Sequence, residues 1–366
     1  MNTGKKNISL LPNGFVDLLP PDAEREFSAI GTLMGVFAAF GYDRVKPPLL
    51  EFEESLFAPG PGASMVDDTF RVMDPVSHRM MGLRSDITAQ ISRIACSRLS
   101  EKARPLRVTY ANDVLRTKAS QQRVERQFCQ AGCEIVGSDN IESDIETCVI
   151  AMIGLKELGV AEITLDLSYP KILAHLLDHF KVTGEERGTV KRALERRSFD
   201  DLNGIDEKLV ATLKKMSESS GEGDKAIKFL SGIKGIQSDI AKLKMIYEGV
   251  SRAIKELKFF DVKITIDPIE TRGFKYYSGL GFTVFSKAVS GELGRGGRYN
   301  VHFGSEKPME SAVGFTLYMD TVRKAMPPAE KKKVIVVDPG ESWASIRDRQ
   351  KKGIVVMRQE KTGKKK

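Results

Sequence analysis

Arg126-Gln127-Phe128-Cys129-Gln130-Ala131-Gly132-Cys133-Glu134-Ile135-Val136 alternates with a period of two. As a strand, it sets Phe128, Gln130, Gly132, Glu134 and Val136 on one face. An amide and a carboxylate on either side of a glycine leave a gap for a small polar ligand, with Glu134 accepting hydrogen bonds from an imidazole or an ammonium group. The same alternation also suits the solvent-facing side of an edge strand.

Upstream, the apolar positions Phe27, Ile30, Leu33, Met34, Phe37 and Ala38 recur at helical spacing. Residues 22–40 therefore form an amphipathic helix, started after Pro20-Pro21 and closed by Gly41. Residues 42–51 read as one extended strand, because a residue preceding proline disfavours the α region. Strand-like stretches at 69–73 and 80–84 precede a helix over 87–99 with Ile87, Ile91, Ile94 and Leu99 inward. A strand at 106–115 connects to 126–136 through the polar segment 116–125, the kind of exposed loop that carries ligand-binding groups. From 169 to 257 the periodicity turns helical, rich in Lys and Glu and broken at Gly184, Gly204, Gly221, Gly223 and Gly232. Strands resume at 262–266, 276–285 and 312–317, and short hairpin links favour an antiparallel sheet. The fold class is α+β: 1–168 and 258–330 are two parts of one sheet-and-helix core, 169–257 is a helical insertion, and 331–366 is a short appendage. The appendage must pack on something, since units below about 40 residues usually need metal, disulfide or partner support.

The 366 residues are 41% hydrophobic and 29% charged, enough material for a sizeable core. No apolar run approaches the roughly 18 residues that span a bilayer, and MNTGKKNISLLPNGF has too short an apolar stretch for a secretory signal, so a cytoplasmic protein without membrane contact is expected. Cys96, Cys129, Cys133 and Cys148 lack C-x-x-C spacing and read as reduced interior thiols. His175 and His179 lie four apart on a helix, but the intervening residues lack the glutamate of H-E-x-x-H, so they read as exposed imidazoles and no metal site is expected. A net charge of +8 would suit a nucleic-acid partner, yet the lysines at 331–333 and 364–366 account for much of it. The remaining positive charge is scattered among acids, with no aromatic-interleaved basic stripe to stack single strands.

Asp86 precedes the 87–99 helix, where the plain reading is an N-cap accepting a backbone N–H bond. Arg272-Gly273-Phe274-Lys275-Tyr276-Tyr277 suits a guanidinium at the floor of a site, with Tyr277 supplying a hydroxyl. Gly294-Arg295-Gly296-Gly297-Arg298-Tyr299 is either a close-approach backbone or simply a turn.

Taken together, Leu83-Arg84-Ser85-Asp86-Ile87-Thr88, Leu115-Arg116, the 126–134 stretch, Arg272 to Tyr277, Gly297-Arg298-Tyr299 and Ala312-Val313-Gly314-Phe315 resemble histidyl-tRNA synthetase in order and spacing. The resemblance runs from about 14 to 322. It implies a class II aminoacyl-tRNA synthetase-like antiparallel sheet flanked by helices, with 41–51 as the dimer-interface motif. It also implies a histidine pocket. Asp86 would hold the α-ammonium with Thr88 beside it, Gln130, Glu134, Tyr276 and Tyr277 would surround the amino acid and its imidazole, and Arg272 would approach the carboxylate. A zwitterion with an imidazole needs such a set: an anion for each cationic group and a cation for the carboxylate.

The departures from that family are as informative. Where its second motif places a glutamate against ATP, this chain has Leu115-Arg116-Thr117-Lys118, with Lys118 in the acid's place. Where its third motif places an arginine against the phosphates, Tyr318-Met319-Asp320-Thr321 has Thr321. Arg116, Lys118 and Thr321 are thus vestigial nucleotide-site positions, and losing preorganised charge there should abolish adenylation. The anticodon-binding domain of about a hundred residues is also replaced by the short 331–366 stretch. A histidine pocket without ATP and tRNA machinery resembles the regulatory subunits that partner short-form ATP phosphoribosyltransferase. The implied function is non-catalytic: a dimer that joins the catalytic subunit for the first step of histidine biosynthesis, confers feedback control by histidine, and needs neither cofactor nor tRNA. The alternatives are a minimal amino-acid-adenylating enzyme, kept open by Arg116 and Arg272, and a nucleic-acid-binding module resting on charge alone.

Overall fold

Helix α1 (Asp22–Ala39) buries Ala29, Leu33 and Phe37, one stripe at spacings of four. The computed structural model describes residues 10–58, 61–119, 123–271, 276–301, 309–329 and 333–359. After α1 come β1 (Asp43–Arg44), β2 (Leu50–Phe52), α2 (Glu53–Leu56), β3 (Arg71–Met73), β4 (Met80–Leu83), α3 (Thr88–Cys96), β5 (Leu106–Leu115), β6 (Gln127–Val136), α4 (Ile141–Glu157) and β7 (Ile163–Ser168). The insertion supplies α5 (Pro170–His179), α6 (Gly184–Glu195), α7 (Glu207–Glu218), a two-residue strand β8 (Gly221–Glu222), α8 (Gly223–Leu230) and α9 (Gln237–Glu256). Then β9 (Lys263–Ile266), β10 (Tyr277–Ser286), β11 (Glu292–Val301), β12 (Glu310–Tyr318) and α10 (Met319–Ala325) complete a first compact unit that ends at Met326.

Its nine-stranded sheet runs β1-β5-β6-β12-β11-β10-β7-β9-β8. Pairing is antiparallel from β5 across to β7, and parallel where β1 meets β5 and β7 meets β9. β6 therefore lies in the interior, in continuous register with β5 on one side and β12 on the other, which excludes the edge-strand reading. Its alternation sorts the two faces. Cys129, Ala131, Cys133 and Ile135 pack with α1 and α4 in the main core. Phe128 packs with Ile87, Ile91, Tyr110 and Tyr318, and Val136 with Ala95, Cys96, Leu106 and Tyr299, on the opposite side. Gln130, Gly132 and Glu134 fall between those two apolar clusters, so the face that α3 covers at both ends holds a polar middle.

Several expectations are corrected. Residues 42–51 do not form one strand: β1 joins the large sheet, whereas β2 joins a separate sheet ordered β2-β4-β3. Between them Pro47 and Pro48 have no N–H for a ladder, and their carbonyls instead accept from Arg84 Nη1 at 3.0 and 3.3 Å, with Gln90 Nε2 donating to Pro48 at 2.8 Å. For the glycine-rich 294–299 the close-approach alternative holds and the turn does not. That stretch is the middle of β11, between β10 and β12, and a Cβ on Gly296 would come within 2.4 Å of both the Gly314 carbonyl and the Phe282 ring. His175 and His179 are both exposed, as expected, and His175 Nδ1 also lies 2.5 Å from Oδ2 of Asp239, buried on α9. The insertion is helical apart from β8, which pairs with β9 at the sheet edge.

Pro327 to Lys366 form a second compact unit. There β13 (Val334–Val337), α11 (Trp343–Lys351) and β14 (Val355–Arg358) make a parallel β-α-β turn, with the Arg358 guanidinium 4.2 Å over the Trp343 ring. Among the described residues no helix is long and apolar enough to cross a membrane.

One buried ion pair ties β11 to α4. Arg298 donates from Nε and Nη2 to the two Asp144 carboxylate oxygens at 3.0 Å each, from Nη1 to Ser311 Oγ at 2.7 Å, and from Nη2 to the Asn140 carbonyl at 3.0 Å. Arg298→Met leaves Asp144 buried without its cation and should cost about 3–5 kcal/mol in urea unfolding followed by circular dichroism. Arg104→Met, which removes the more exposed pair with Glu310, should cost about 1 kcal/mol or less. Equal losses in the two variants would contradict the assignment.

Candidate functional site

A cavity of about 590 Å³ opens on the α3 side of the sheet, between the two apolar clusters. Its floor is made by β6, β12, β11 and β10, through Glu134, Gly314, Phe315, Thr316, Gly296, Gly297, Tyr299 and Tyr277. Asp86 and Thr88 enter from the start of α3, Arg116 and Arg123 from the segment joining β5 to β6, and Lys191 and Glu195 from α6 of the insertion.

Asp86 is both a helix-start acceptor and a site carboxylate. Oδ1 accepts the Thr88 backbone N–H at 2.9 Å, and Oδ2 accepts from Gln130 Nε2 at 2.9 Å. Gln130 in turn accepts the Ile87 N–H at 3.1 Å. It is fully buried and does not line the cavity, so the amide sits behind Asp86 and fixes its orientation. The sequence face carrying Gln130 and Glu134 is thus divided between a support and a lining group.

Glu134 lies at the bottom, 2% exposed, and its oxygens meet hydroxyls rather than any cation in the described residues. Tyr299 donates to Oε2 at 2.8 Å, and Thr88 Oγ1 and the Tyr110 hydroxyl approach Oε1 at 3.4 and 3.5 Å. Burial pushes its pKa up to about 8, opposed by these hydrogen bonds. Glycines make the space: a Cβ on Gly314 would sit 1.8 Å from Glu134 Oε2, and one on Gly132 would sit 2.7 Å from the Tyr110 oxygen. Tyr276 stacks on Tyr299 with ring centroids 5.1 Å apart and planes 17° apart, and Tyr277 adjoins Tyr276 at 5.0 Å. Burial raises the pKa of both Tyr276 and Tyr277, so they are neutral hydroxyl donors at ordinary pH. This half offers two carboxyls and an aromatic wall, suited to a small ligand with two cationic or N–H-bearing groups.

The other half holds Arg116, Arg123, Glu292, Arg295 and Tyr318. Arg123 stacks over Phe128 and Tyr318 at 4.3 and 4.0 Å and forms a buried ion pair with Asp320. Arg295 reaches Glu292 at 2.5 Å. Arg116 donates to the Ser85 carbonyl at 3.3 Å, its guanidinium 5.2 Å from the Phe128 ring. Lys118 is exposed and Thr321 is buried against Asp320 at 3.4 Å, and neither lines the cavity. Arg272 lies outside the described residues, although its neighbours Thr271 and Tyr276 both line the cavity.

Sequence reasoning did not single out Tyr110, Tyr299, Arg123, Arg295 or Glu292 as site groups. Tyr299 and Arg295 were legible in principle: once 292–301 is taken as a strand, alternation groups Gly297 and Tyr299. Tyr110 and Lys191 carry no such local signal.

The six-stranded antiparallel stretch from β5 to β7, with a two-carboxyl cavity on the face opposite α1 and α4, defines a class II aminoacyl-tRNA synthetase-like protein. Residues 14–322 match the family model described as histidyl-tRNA synthetase, and the chain belongs to that family. Among its relatives, a protein named ATP phosphoribosyltransferase regulatory subunit from Rhodospirillum centenum is 40% identical over 341 residues, 92% of this chain and 86% of the relative. One of the same name from Paramagnetospirillum magneticum is 40% identical over 344 residues, covering 93% and 89%. A solved structure from Bacillus halodurans, described as an ATP phosphoribosyltransferase regulatory subunit/histidyl-tRNA synthetase, superposes with a TM-score of 0.82 at 22% identity, covering 99% of this chain and 95% of that one, and shares the fold.

The Glu134 shift has a definite sign. Its folded pKa lies above the unfolded value, so the folded state holds the extra proton between about pH 4.3 and pH 8, and this group's contribution to stability falls as pH rises through that window. In Glu134→Gln that slope disappears, and at about pH 8.5 the variant should melt above the parent, its unfolding free energy higher by an amount on the order of a few kcal/mol. Melting curves of parent and variant that stay parallel from about pH 5 to 8.5 would refute a neutral buried Glu134.

Proposed function

We propose that this chain is the non-catalytic regulatory subunit of a short-form ATP phosphoribosyltransferase, and that histidine bound in the Asp86–Glu134 cavity provides feedback control of the first step of histidine biosynthesis. The observation that carries the reading is the asymmetry of the cavity. Its amino-acid half keeps carboxyls for cationic groups, while in its nucleotide half Arg123 and Arg295 are taken up by Asp320 and Glu292. An arginine engaged by an internal carboxylate is a poor stabiliser of triphosphate charge, so the geometry favours binding an amino acid over activating it. Relatives that this chain covers nearly end to end carry the regulatory name, which supports the same reading.

Histidine's α-ammonium fits Asp86 and Thr88, held in place by Gln130. Its imidazole fits Glu134, which can accept from an imidazole N–H as a carboxylate or donate to the ring nitrogen as an acid. Tyr276 and Tyr277 close the aromatic side, and Arg272 is assigned to the ligand carboxylate. Lys191 and Glu195 bring α6 to the cavity wall, so occupancy has a direct mechanical path into the insertion. The β2-β4-β3 sheet exposes Leu50, Val72, Met73 and Met80, with Leu49 exposed just before it, an apolar surface that includes part of 41–51 and is suited to self-association. Histidine then acts by binding one arrangement of the complex more tightly than another, with a coupling of about 1–3 kcal/mol.

Phosphoribosyl transfer from phosphoribosyl pyrophosphate to ATP, measured with a short-form catalytic subunit, should rise on adding this protein and fall again with histidine. Asp86→Asn should retain the activation while shifting the histidine response to about 10- to 100-fold higher concentration, the cost of one charge-assisted hydrogen bond. No response to the protein, together with histidine-dependent pyrophosphate exchange by the chain alone, would replace this reading with an adenylating enzyme.

A further inference from the structure

A second hollow lies within the helical insertion, where the end of α5, α7, α8 and the turn before α9 meet. Its volume is about 770 Å³, within the span of small-ligand sites. Phe180, Phe229 and Ile233 give it a half-buried apolar floor, and Gly232 leaves one side open. Lys215, Lys225, Lys228 and Lys234 stand around the rim, and no acidic side chain lines the hollow. Lys225 pairs with Glu222 at 2.7 Å, whereas Lys215, Lys228 and Lys234 form no ion pair among the described residues.

Helix electrostatics explain part of this. Lys215 and Lys228 occupy the last turns of α7 and α8, where a cation complements the helix C-terminus. That accounts for a lysine on each helix, but not for the convergence of both, with Lys234, on one hollow floored by aromatic rings. Like charges gathered around an apolar floor repel one another unless something anionic sits between them. A solvated charged face needs no floor, and an apolar core contact needs no ring of lysines.

We propose that this hollow binds a nucleoside phosphate, with the base against Phe180, Phe229 and Ile233 and the phosphates among Lys215, Lys228 and Lys234. The combination selects the ligand class: a flat, weakly polar moiety covers the floor, and a short polyanion reaches several ammonium groups at once. The site is separate from the Asp86–Glu134 cavity and does not depend on how that cavity is read.

Isothermal titration of the full chain at low salt, with ATP, AMP and inorganic triphosphate in the presence of a chelator, tests the proposal. ATP should bind, more weakly as salt is raised. The double variant Lys215→Glu, Lys228→Glu should weaken it by about tenfold or more. Phe229→Ala should weaken ATP and AMP by about three- to tenfold while leaving triphosphate unchanged. Lys208→Glu, on α7 but outside the hollow, and Arg116→Ala, in the other cavity, should each leave the affinity within about twofold, and circular dichroism verifies that every variant is folded. Absence of binding, loss of binding in Arg116→Ala but not in the lysine variant, or triphosphate binding as tightly as ATP would overturn the proposal.

Discussion

A carboxyl group is buried in the middle of a sheet with hydroxyls for company, and much of the first unit is arranged around it. Glu134 sits on an interior strand at 2% exposure, where an ionised carboxylate would be costly without a cation. The protein manages this with Tyr299, Thr88 and Tyr110 as donors and with glycines at 132 and 314, where any side chain would collide with the group or its partners. The result is a group whose pKa of about 8 lets it act as proton donor or acceptor near neutrality. A ligand that carries its own titratable ring is the natural complement to such a site.

Around that centre the supports are rigid. Gln130 clamps Asp86 and the entry to α3 at once. Arg84 binds the carbonyls of the Pro47-Pro48 break, and Arg298 locks β11 onto α4 beside Tyr299. Each of these side chains is buried and held by internal partners, so each fixes a neighbour. In the other half of the cavity the same kind of internal pairing has a different consequence. With Arg123 held by Asp320 and Arg295 by Glu292, positive charge remains present but is spoken for. These cationic side chains line the cavity while being engaged by carboxylates of the chain itself, in a protein that belongs to the histidyl-tRNA synthetase family.

The insertion joins the two themes. Through Lys191 and Glu195 it forms part of the Asp86–Glu134 cavity, and through α7 and α8 it frames a lysine-rimmed hollow of its own. Within the insertion, His175 paired with Asp239 fastens α5 to α9.

The sequence by itself determined the strand at 127–136, the helices on either side of it, the mainly helical character of 170–256 and the family. Each of these rests on short-range information: period two in 127–136, period near 3.6 in 22–39, and motif residues in a fixed order. It left 294–299 open between a close-approach backbone and a turn, because glycines are local signals of freedom, and the close approach is what they answer to here, with Phe282 and the Gly314 carbonyl pressing on β11. It merged β1 with β2, because an extended pair of prolines does not reveal that their carbonyls belong to Arg84. Only the tertiary structure decided that Gln130 stands behind Asp86, that Tyr110 and Tyr299 hold Glu134, and that Arg123 and Arg295 are neutralised from within. Those are contacts between residues as far apart as Glu134 and Tyr299, and the energy of a buried charge depends on what surrounds it in space, which no local pattern along the chain records.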